Sequence, residues 1–332
     1  MSTPVRPLTL LLAAEGAMGL RLLEAVLRTR HRVAGVLATP DGPAAGGNTA
    51  GGNTAGGNSV WQTARRLGLA TWPAERVCTG DFAEAVRAAR VDVLLNAQSP
   101  HVVCPDVLDA PLLGAYALHP GPLPQYPGRH APHWALFHGA RRHAVTVHAM
   151  KPQVGRGPIA ARADFAVEAD DTALTLTMAC VRHGVPLALD VVETLARDPN
   201  AVPCAMVPEG DRVPCGFEPP NGGWIAWDWP AATVDGFIRA CDFGPLPSPW
   251  GRPRTLHRGQ LVAVAKARRT GRRTAAAPGT VTAVESRGVR VACADEEILV
   301  TELLAGDRRV PAADRLAQGD RLFAPPLSSE AA

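Results

Sequence analysis

Seven of the ten histidines, His101, His119, His130, His133, His138, His143 and His148, fall within 48 of the 332 residues. Even scatter would put one or two there, so acid–base or metal chemistry is sought in this segment first. His119 opens the Pro- and Gly-rich stretch 119–128. His148 ends the β-branched run Val145-Thr146-Val147 and reads as a sheet or pocket-lining residue. His130 and His133, three apart, could share a helix face with His138 beyond. No Cys or carboxylate stands between 119 and 163 to complete a metal shell, so no metal is expected. His143, after two arginines, reads as solvent-exposed and without a role. Asn96-Ala97-Gln98-Ser99-Pro100-His101 follows an apolar run, which places polar groups at the carboxyl end of a strand, where open α/β sheets bind ligands.

These residues need a frame. An apolar run at 8–13 leads into Glu15-Gly16-Ala17-Met18-Gly19, followed by an amphipathic stretch at 20–28 and a second strand pattern at 32–38. Helical patterns at 60–67 and near 82–89 precede the apolar run 91–96. This rhythm predicts an α/β fold over residues 1–200, a doubly wound, mainly parallel sheet with helices on both faces. Gly16 and Gly19 permit a tight turn but do not make G-x-G-x-x-G, so a nicotinamide cofactor is not supported. The GGNTA repeat between 41 and 59 has no apolar face to bury and reads as a surface loop, an inert expansion or a lid. Residues 201–223, rich in Pro and Gly, read as a linker. Over 224–325, a short helix near 233–241 and strands at 260–267, 279–284, 289–293 and 297–303 predict a small β-barrel domain. Trp224, Trp227, Trp229 and Trp250 read as packing this domain onto the first, or as a stacking platform.

The chain is 46% hydrophobic and 20% charged, which excludes disordered and fibrous classes. A net charge of +3 is too balanced for nucleic-acid binding by bulk charge. No segment is expected to approach bilayer-spanning length, and the apolar run after Arg6 reads as a buried strand rather than a signal peptide. Seven scattered cysteines without a C-x-x-C pair argue against a disulfide framework, and a cytoplasmic location is expected.

The stretch from Gly114, GAYALHPGPLPQYPGRHAPHWALFHGARRHAVTVHAMKPQVGRGPIAAR, resembles the folate-dependent formyltransferases, whose pattern runs N-x-H-x-S-L-L-P-x-Y-x-G, W-A-x-x-x-G, G-V-T-x-H-x-M and D-x-G-x-I. The matching residues are His119, Pro120, Leu123, Pro124, Tyr126, Gly128, Pro132, Trp134, Ala135, Gly139, Val145, Thr146, His148, Met150, Gly157, Pro158 and Ile159. Asp170, Asp171, Thr172, Leu174 and Leu176 fit the next turn. IAWDWPAATVDGFIRACDFGPLPSPWG resembles the second domain of the methionyl-tRNA formyltransferase group, so the resemblance covers nearly the whole chain. It implies a tetrahydrofolate derivative as donor and an amine as acceptor. Main-chain groups around Asn96, Gln98, Ser99 and Val102 and around Met150, Gly155 and Gly157 would hold the pterin ring.

The resemblance also implies three catalytic side chains, an Asn-x-His pair that holds the tetrahedral intermediate and a distant Asp that orients the His. The His position is His119, the Asn position is Ala117 and the Asp position is Gly155. Removing one oxyanion donor costs about 10²–10³ in rate, so three readings stand open. Lys151, Gln153, Arg156, Asn96 or Gln98 take over the lost roles. Alternatively, the group comes from 5-formimino- rather than 10-formyl-tetrahydrofolate: attack neutralises an amidinium, no oxyanion develops, and His119 serves as a neutral base near its reference pKa of about 6.5. In the third reading the chain does other acyl or hydrolytic chemistry, or only binds.

Eight basic residues between Arg252 and Arg273, with no acidic one among them, leave the remainder of the chain at −5. They read as a phosphate-contacting patch or a solvated barrel loop. In the tRNA enzymes the loop after the second strand carries basic residues, and here it is the uncharged repeat. The expected acceptor is therefore the amine of a small molecule, such as an aminosugar, an amino acid or a natural-product intermediate, not tRNA. No membrane partner is expected, and the oligomeric state is left open.

Overall fold

Apolar runs flanked by helices bury both faces of a parallel sheet, and a computed structural model of the chain has this arrangement. The structure describes residues 5–40, 59–203, 205–206, 210, 212–213, 215–306 and 308–325; the GGNTA repeat lies outside them. In chain order come β1 (Thr9–Ala14), α1 (Gly16–Val26), β2 (Arg32–Ala38), α2 (Val60–Arg66), β3 (Thr71–Pro73), α3 (Gly80–Ala88), β4 (Val93–Ala97), α4 (Pro105–Leu108), β5 (Ala115–His119), α5 (Ala131–Phe137), β6 (Arg142–Ala149), β7 (Ile159–Ala166) and α6 (Ala173–Arg197). The sheet order is β3-β2-β1-β4-β5-β6-β7. Pairing is parallel from β3 to β5, and β6 and β7 add an antiparallel edge. The order reverses between β1 and β4, the switch point at whose carboxyl ends such sheets bind ligands.

Alternation of side chains assigns the two faces. Leu10, Leu12, Val93, Leu95, Tyr116, Leu118, Val145 and Val147 form one cluster with Met18 and Leu22 of α1 and with α6. Leu11, Ala13, Leu94 and Ala115 form the other, with Phe82 and Val86 of α3 and Val107 of α4. The 25-residue α6 corrects one expectation, since by length and composition it is long and apolar enough to cross a membrane. Its Cys180, Val181, Val185, Ala188, Val191, Val192 and Leu195 are buried in the first cluster, so its apolar stripe is spent on the core.

Over their described residues the segments fall into two compact units. One comprises Met1–Ala131, Arg142–Ala166 and Thr177–Pro214, the other Pro132–Arg141, Val167–Leu176 and Cys215–Ala332. Part of the stretch read as a linker is tied down within the first unit. The Ile159 N–H donates to Ala205 O at 2.7 Å and the Val213 N–H to Gln125 O at 2.8 Å.

The second unit carries α7 (Ala231–Cys241) and β8 (Arg254–His257), β9 (Gln260–Arg273), β10 (Val281–Glu285), β11 (Gly288–Ala292), β12 (Glu296–Ala305), β13 (Arg308–Pro311) and β14 (Leu322–Phe323). Its sheet runs β10-β11-β12-β9-β8-β14, antiparallel, with β13 on β12, as a half-barrel. β9 extends six residues past the expected end, and register shifts against β12 bend the pair. Two of the tryptophans pack the C-terminal residues onto the first 200, as expected: Trp229 lies edge-on to Phe137, and also to Phe237, and Trp250 lies 5.0 Å from Trp134. Phe137 and Trp134 stand in the segment Pro132–Arg141, which is grouped with the second unit. The Trp227 Nε1–H donates to Thr255 Oγ1 at 3.0 Å.

Candidate active site

Strand register brings the chemistry together. Asn96 of β4 pairs with Ala117 of β5, Ala117 with His148 of β6, and His119 with Thr146. Paired residues share a face and neighbouring strands lie about 4.8 Å apart. Asn96, Ala117 and His148 therefore form one row, with His119 and Thr146 in the next row toward the carboxyl end of β5. This face is the one covered by α3 and α4 farther down the strands.

The Nε2 of His119 lies 2.6 Å from Tyr126 O. A carbonyl only accepts, so Nε2 carries the proton and the lone pair is at Nδ1. Burial pushes the His119 pKa down to about 4; the Tyr126 carbonyl works against this, while His148 and His143 add to it. The ring is neutral at pH 7, as one of the three sequence readings supposed, but it is a weaker base than a value near 6.5 implied. Desolvation without a helping carboxylate is the cause.

The loop that presents His119 is pinned from β6. Thr146 Oγ1 donates to Gly121 O at 2.8 Å and His143 Nε2 to Pro120 O at 3.0 Å. Gly121 sits at the tightest point, where an added Cβ would lie 2.9 Å from His119 Nε2 and 3.0 Å from Tyr126 O. His143 is the clearest correction: expected in solvent, it is 1% exposed, and burial holds its pKa near 4. Tyr126 and Phe165 pack around it, because helix-covered sheets bury both faces of a central strand. His148 is buried too; its Nδ1–H donates to Ala149 O at 3.0 Å, and burial lowers its pKa.

At the end of β4 the Asn96 Oδ1 accepts from the Ser99 N–H at 3.0 Å, and Gln98 adopts a left-handed turn, φ 66°. The Ser99 hydroxyl oxygen is buried and has no partner among the described residues. Val102 is exposed. Sequence reasoning missed Glu15, the buried residue between β1 and α1. Its N–H donates to Ala97 O at 2.9 Å and its carboxylate accepts from the Thr39 N–H, tying together the carboxyl ends of β1, β2 and β4. A charged residue between an apolar run and a glycine turn was the available signal.

The loop after β6 supplies the last wall. The Met150 N–H donates to Ala115 O at 2.8 Å, and its side chain packs on the second cluster. Lys151, Gln153 and Arg156 are exposed. Gly155 is buried in a left-handed turn, φ 68°, and a Cβ there would meet Pro127 at 3.5 Å. Gly155 thus borders Pro127, the residue after Tyr126, whose carbonyl holds His119. Gly157 lies against main chain, and an added Cβ would be 1.6 Å from Ala149 O.

The remaining histidines scatter. His133 stacks on Phe243 and His138 on Trp134 in the second unit, while burial lowers the pKa of His130 to about 4. Among the described residues no group of three or more His, Cys, Asp or Glu is placed to hold a metal.

A sheet of this order with a histidine on a proline-rich loop at its fifth strand agrees with the family comparisons. The formyl transferase model matches residues 8–192 and the formyl transferase C-terminal domain model residues 219–321. The chain belongs to the formyl transferase family. Its fold is similar to HypX from Aquifex aeolicus in complex with tetrahydrofolic acid, at 17% identity, TM-score 0.59, over 92% of this chain and 46% of that one. It is also similar to the N-formyltransferase from Helicobacter canadensis in complex with folinic acid and dTDP-3-aminofucose, at 13% identity, TM-score 0.61, over 89% and 99%. A third is WlaRD, a sugar 3N-formyl transferase in the presence of dTDP and 5-N-formyl-THF, at 11% identity, TM-score 0.62, over 91% and 99%. The chain spans about half the length of the HypX structures it matches.

Proposed function

We propose that the chain transfers a one-carbon unit, formyl or formimidoyl, from a tetrahydrofolate derivative to the amine of a small molecule such as an aminosugar or natural-product intermediate. The observation that carries this is His119, held in one tautomer at the carboxyl end of β5 with its Nδ1 lone pair bonded to no group among the described residues. As the amine attacks the donor's one-carbon unit, Nδ1 takes its proton. His119 later returns that proton to the departing folate nitrogen.

The loops at 96–102 and 150–157 suit a pterin. They offer main-chain groups, a buried Ser99 hydroxyl in need of a partner, and glycines at 155 and 157 that leave the backbone bare. Main-chain recognition is indifferent to the side chain at Gly155. An acceptor smaller than tRNA is favoured because three of the eight basic residues in the window are paired locally: Arg258 with Asp320, Arg269 with Glu296 and Arg272 with Glu297. The Helicobacter relative, crystallised with dTDP-3-aminofucose, makes nucleotide aminosugars the first acceptors to try.

The test is calorimetric titration with 10-formyl- and 5-formimino-tetrahydrofolate, followed by turnover with a panel of nucleotide aminosugars. We expect binding of at least one donor, with transfer abolished in His119→Ala while donor affinity is kept. Absence of binding by both donors would sink the proposal.

A further inference from the structure

We propose that Asn96 is the hydrogen-bond donor to the oxygen of the transferred group, and that this group is formyl. The inference rests on the transferase reading and deepens it.

Acyl transfer from the donor's N10 builds charge on oxygen. The acceptor amine forms a bond to the formyl carbon, the carbonyl π pair moves onto oxygen, and His119 Nδ1 takes the amine proton. The oxygen pair then re-forms the carbonyl and the bond from carbon to N10 breaks. N10 leaves with that electron pair and accepts the proton from His119, giving a formamide and tetrahydrofolate. A neutral donor aimed at the oxygen in the tetrahedral state accelerates both halves.

The two rows at His119 allow few candidates. His119 has given its Nε2–H to Tyr126 O, and its Nδ1 is an acceptor. His148 has given its Nδ1–H to Ala149 O, so its Nε2 is likewise an acceptor. Thr146 donates its hydroxyl to Gly121 O, and Ala117 has only a methyl group. Asn96 remains. Its Oδ1 is held by the Ser99 N–H, which decides which end of the amide is nitrogen and leaves both Nδ2 hydrogens to donate. Asn96 is the direct cross-strand neighbour of Ala117, so its amide borders the space above that methyl, one row from His119. A carboxamide on the neighbouring strand thus offers from the side what residue 117 lacks.

The experiment compares wild type with Asn96→Asp, Asn96→Ala, Ala117→Asn and the double variant Asn96→Ala/Ala117→Asn, using hydroxylamine and dTDP-3-aminofucose as acceptors with each folate donor. Asn96→Asp keeps an acceptor for the Ser99 N–H but replaces the donor with a negative charge, whereas Asn96→Ala removes the donor without adding charge, and circular dichroism melting checks that both fold. We expect kcat for formyl transfer to fall about 10²–10³-fold in both single Asn96 variants, with KM for the donor within threefold. Ala117→Asn should restore at least tenfold of the rate lost in Asn96→Ala, and should restore nothing in His119→Ala. Wild-type kcat in Asn96→Asp would overturn the proposal, as would a loss confined to KM. Transfer from the formimino donor alone would also overturn it while leaving the transferase reading intact. Transfer from neither donor would remove both.

Discussion

Replacing Gly121 with alanine places one methyl group where the support of His119 is tightest. The new Cβ would lie 2.8 Å from Ala131 Cβ, 2.9 Å from His119 Nε2 and 3.0 Å from Tyr126 O. None of these is the free end of a flexible side chain, and Gly121 is not in a left-handed conformation, so the effect is one of space alone. Relief requires the Tyr126 carbonyl to move off the ring, leaving a desolvated N–H at a cost of about 1–3 kcal/mol. Forcing a methyl group into packed surroundings adds about 1–3 kcal/mol. The combined loss of about 2–6 kcal/mol should lower the melting temperature of the first unit by roughly 4–24 °C. The released ring can exchange tautomers and lose the alignment of Nδ1, so kcat should drop by about 10²-fold, the lower end of what a positioned base contributes. Gly216→Ala is the control: its nearest atom is 4.0 Å away, and its stability should change by less than about 1 kcal/mol. Scanning calorimetry and single-turnover transfer measure both quantities. Native stability together with native rate in Gly121→Ala would refute the account of how His119 is held.

Because burial lowers the His119 pKa to about 4, the base-dependent limb of kcat/KM should be flat from neutrality to about pH 5 and fall near pH 4. An inflection near 6.5 would contradict this. His143, also held near 4, binds a proton more readily when unfolded. Its contribution is complete above about pH 6.5 and declines as the pH falls toward 4 by up to about 1.4 kcal/mol per pH unit, and His119 and His130, held equally low, add losses of the same sign. Urea unfolding at pH 7, 5.5 and 4.5 should show that loss, and greater stability on acidification would count against it. Gly157→Ala sets a Cβ 1.6 Å from Ala149 O, so the loop must move and folate should bind at least tenfold more weakly, with an unchanged Kd the contrary result. Trp227→Phe removes the donor to the buried Thr255 hydroxyl and should destabilise the second unit by about 1–2 kcal/mol, read by thermal melting; no change would deny that bond its role.

Much of the frame was legible along the chain. Continuous apolar runs at β1 and β4 marked strands buried on both faces, and β2 falls on the expected residues 32–38. The short strands β8 and β14 were missed because two to four residues carry too little periodicity to stand out. The position of His143 was misread because its neighbours Arg141 and Arg142 are exposed, although the strand turns inward at the next residue.

Local order and spacing were enough for the long apolar strands and several helices, the family pattern and the single histidine at its motif position. Only the tertiary structure decided that Asn96, Ala117 and His148 share a row, that Tyr126 selects the His119 tautomer, and that desolvation lowers its pKa. Register between strands about 20 to 30 residues apart, and exclusion of water by packed layers, are properties of the assembled sheet, and no local pattern encodes them.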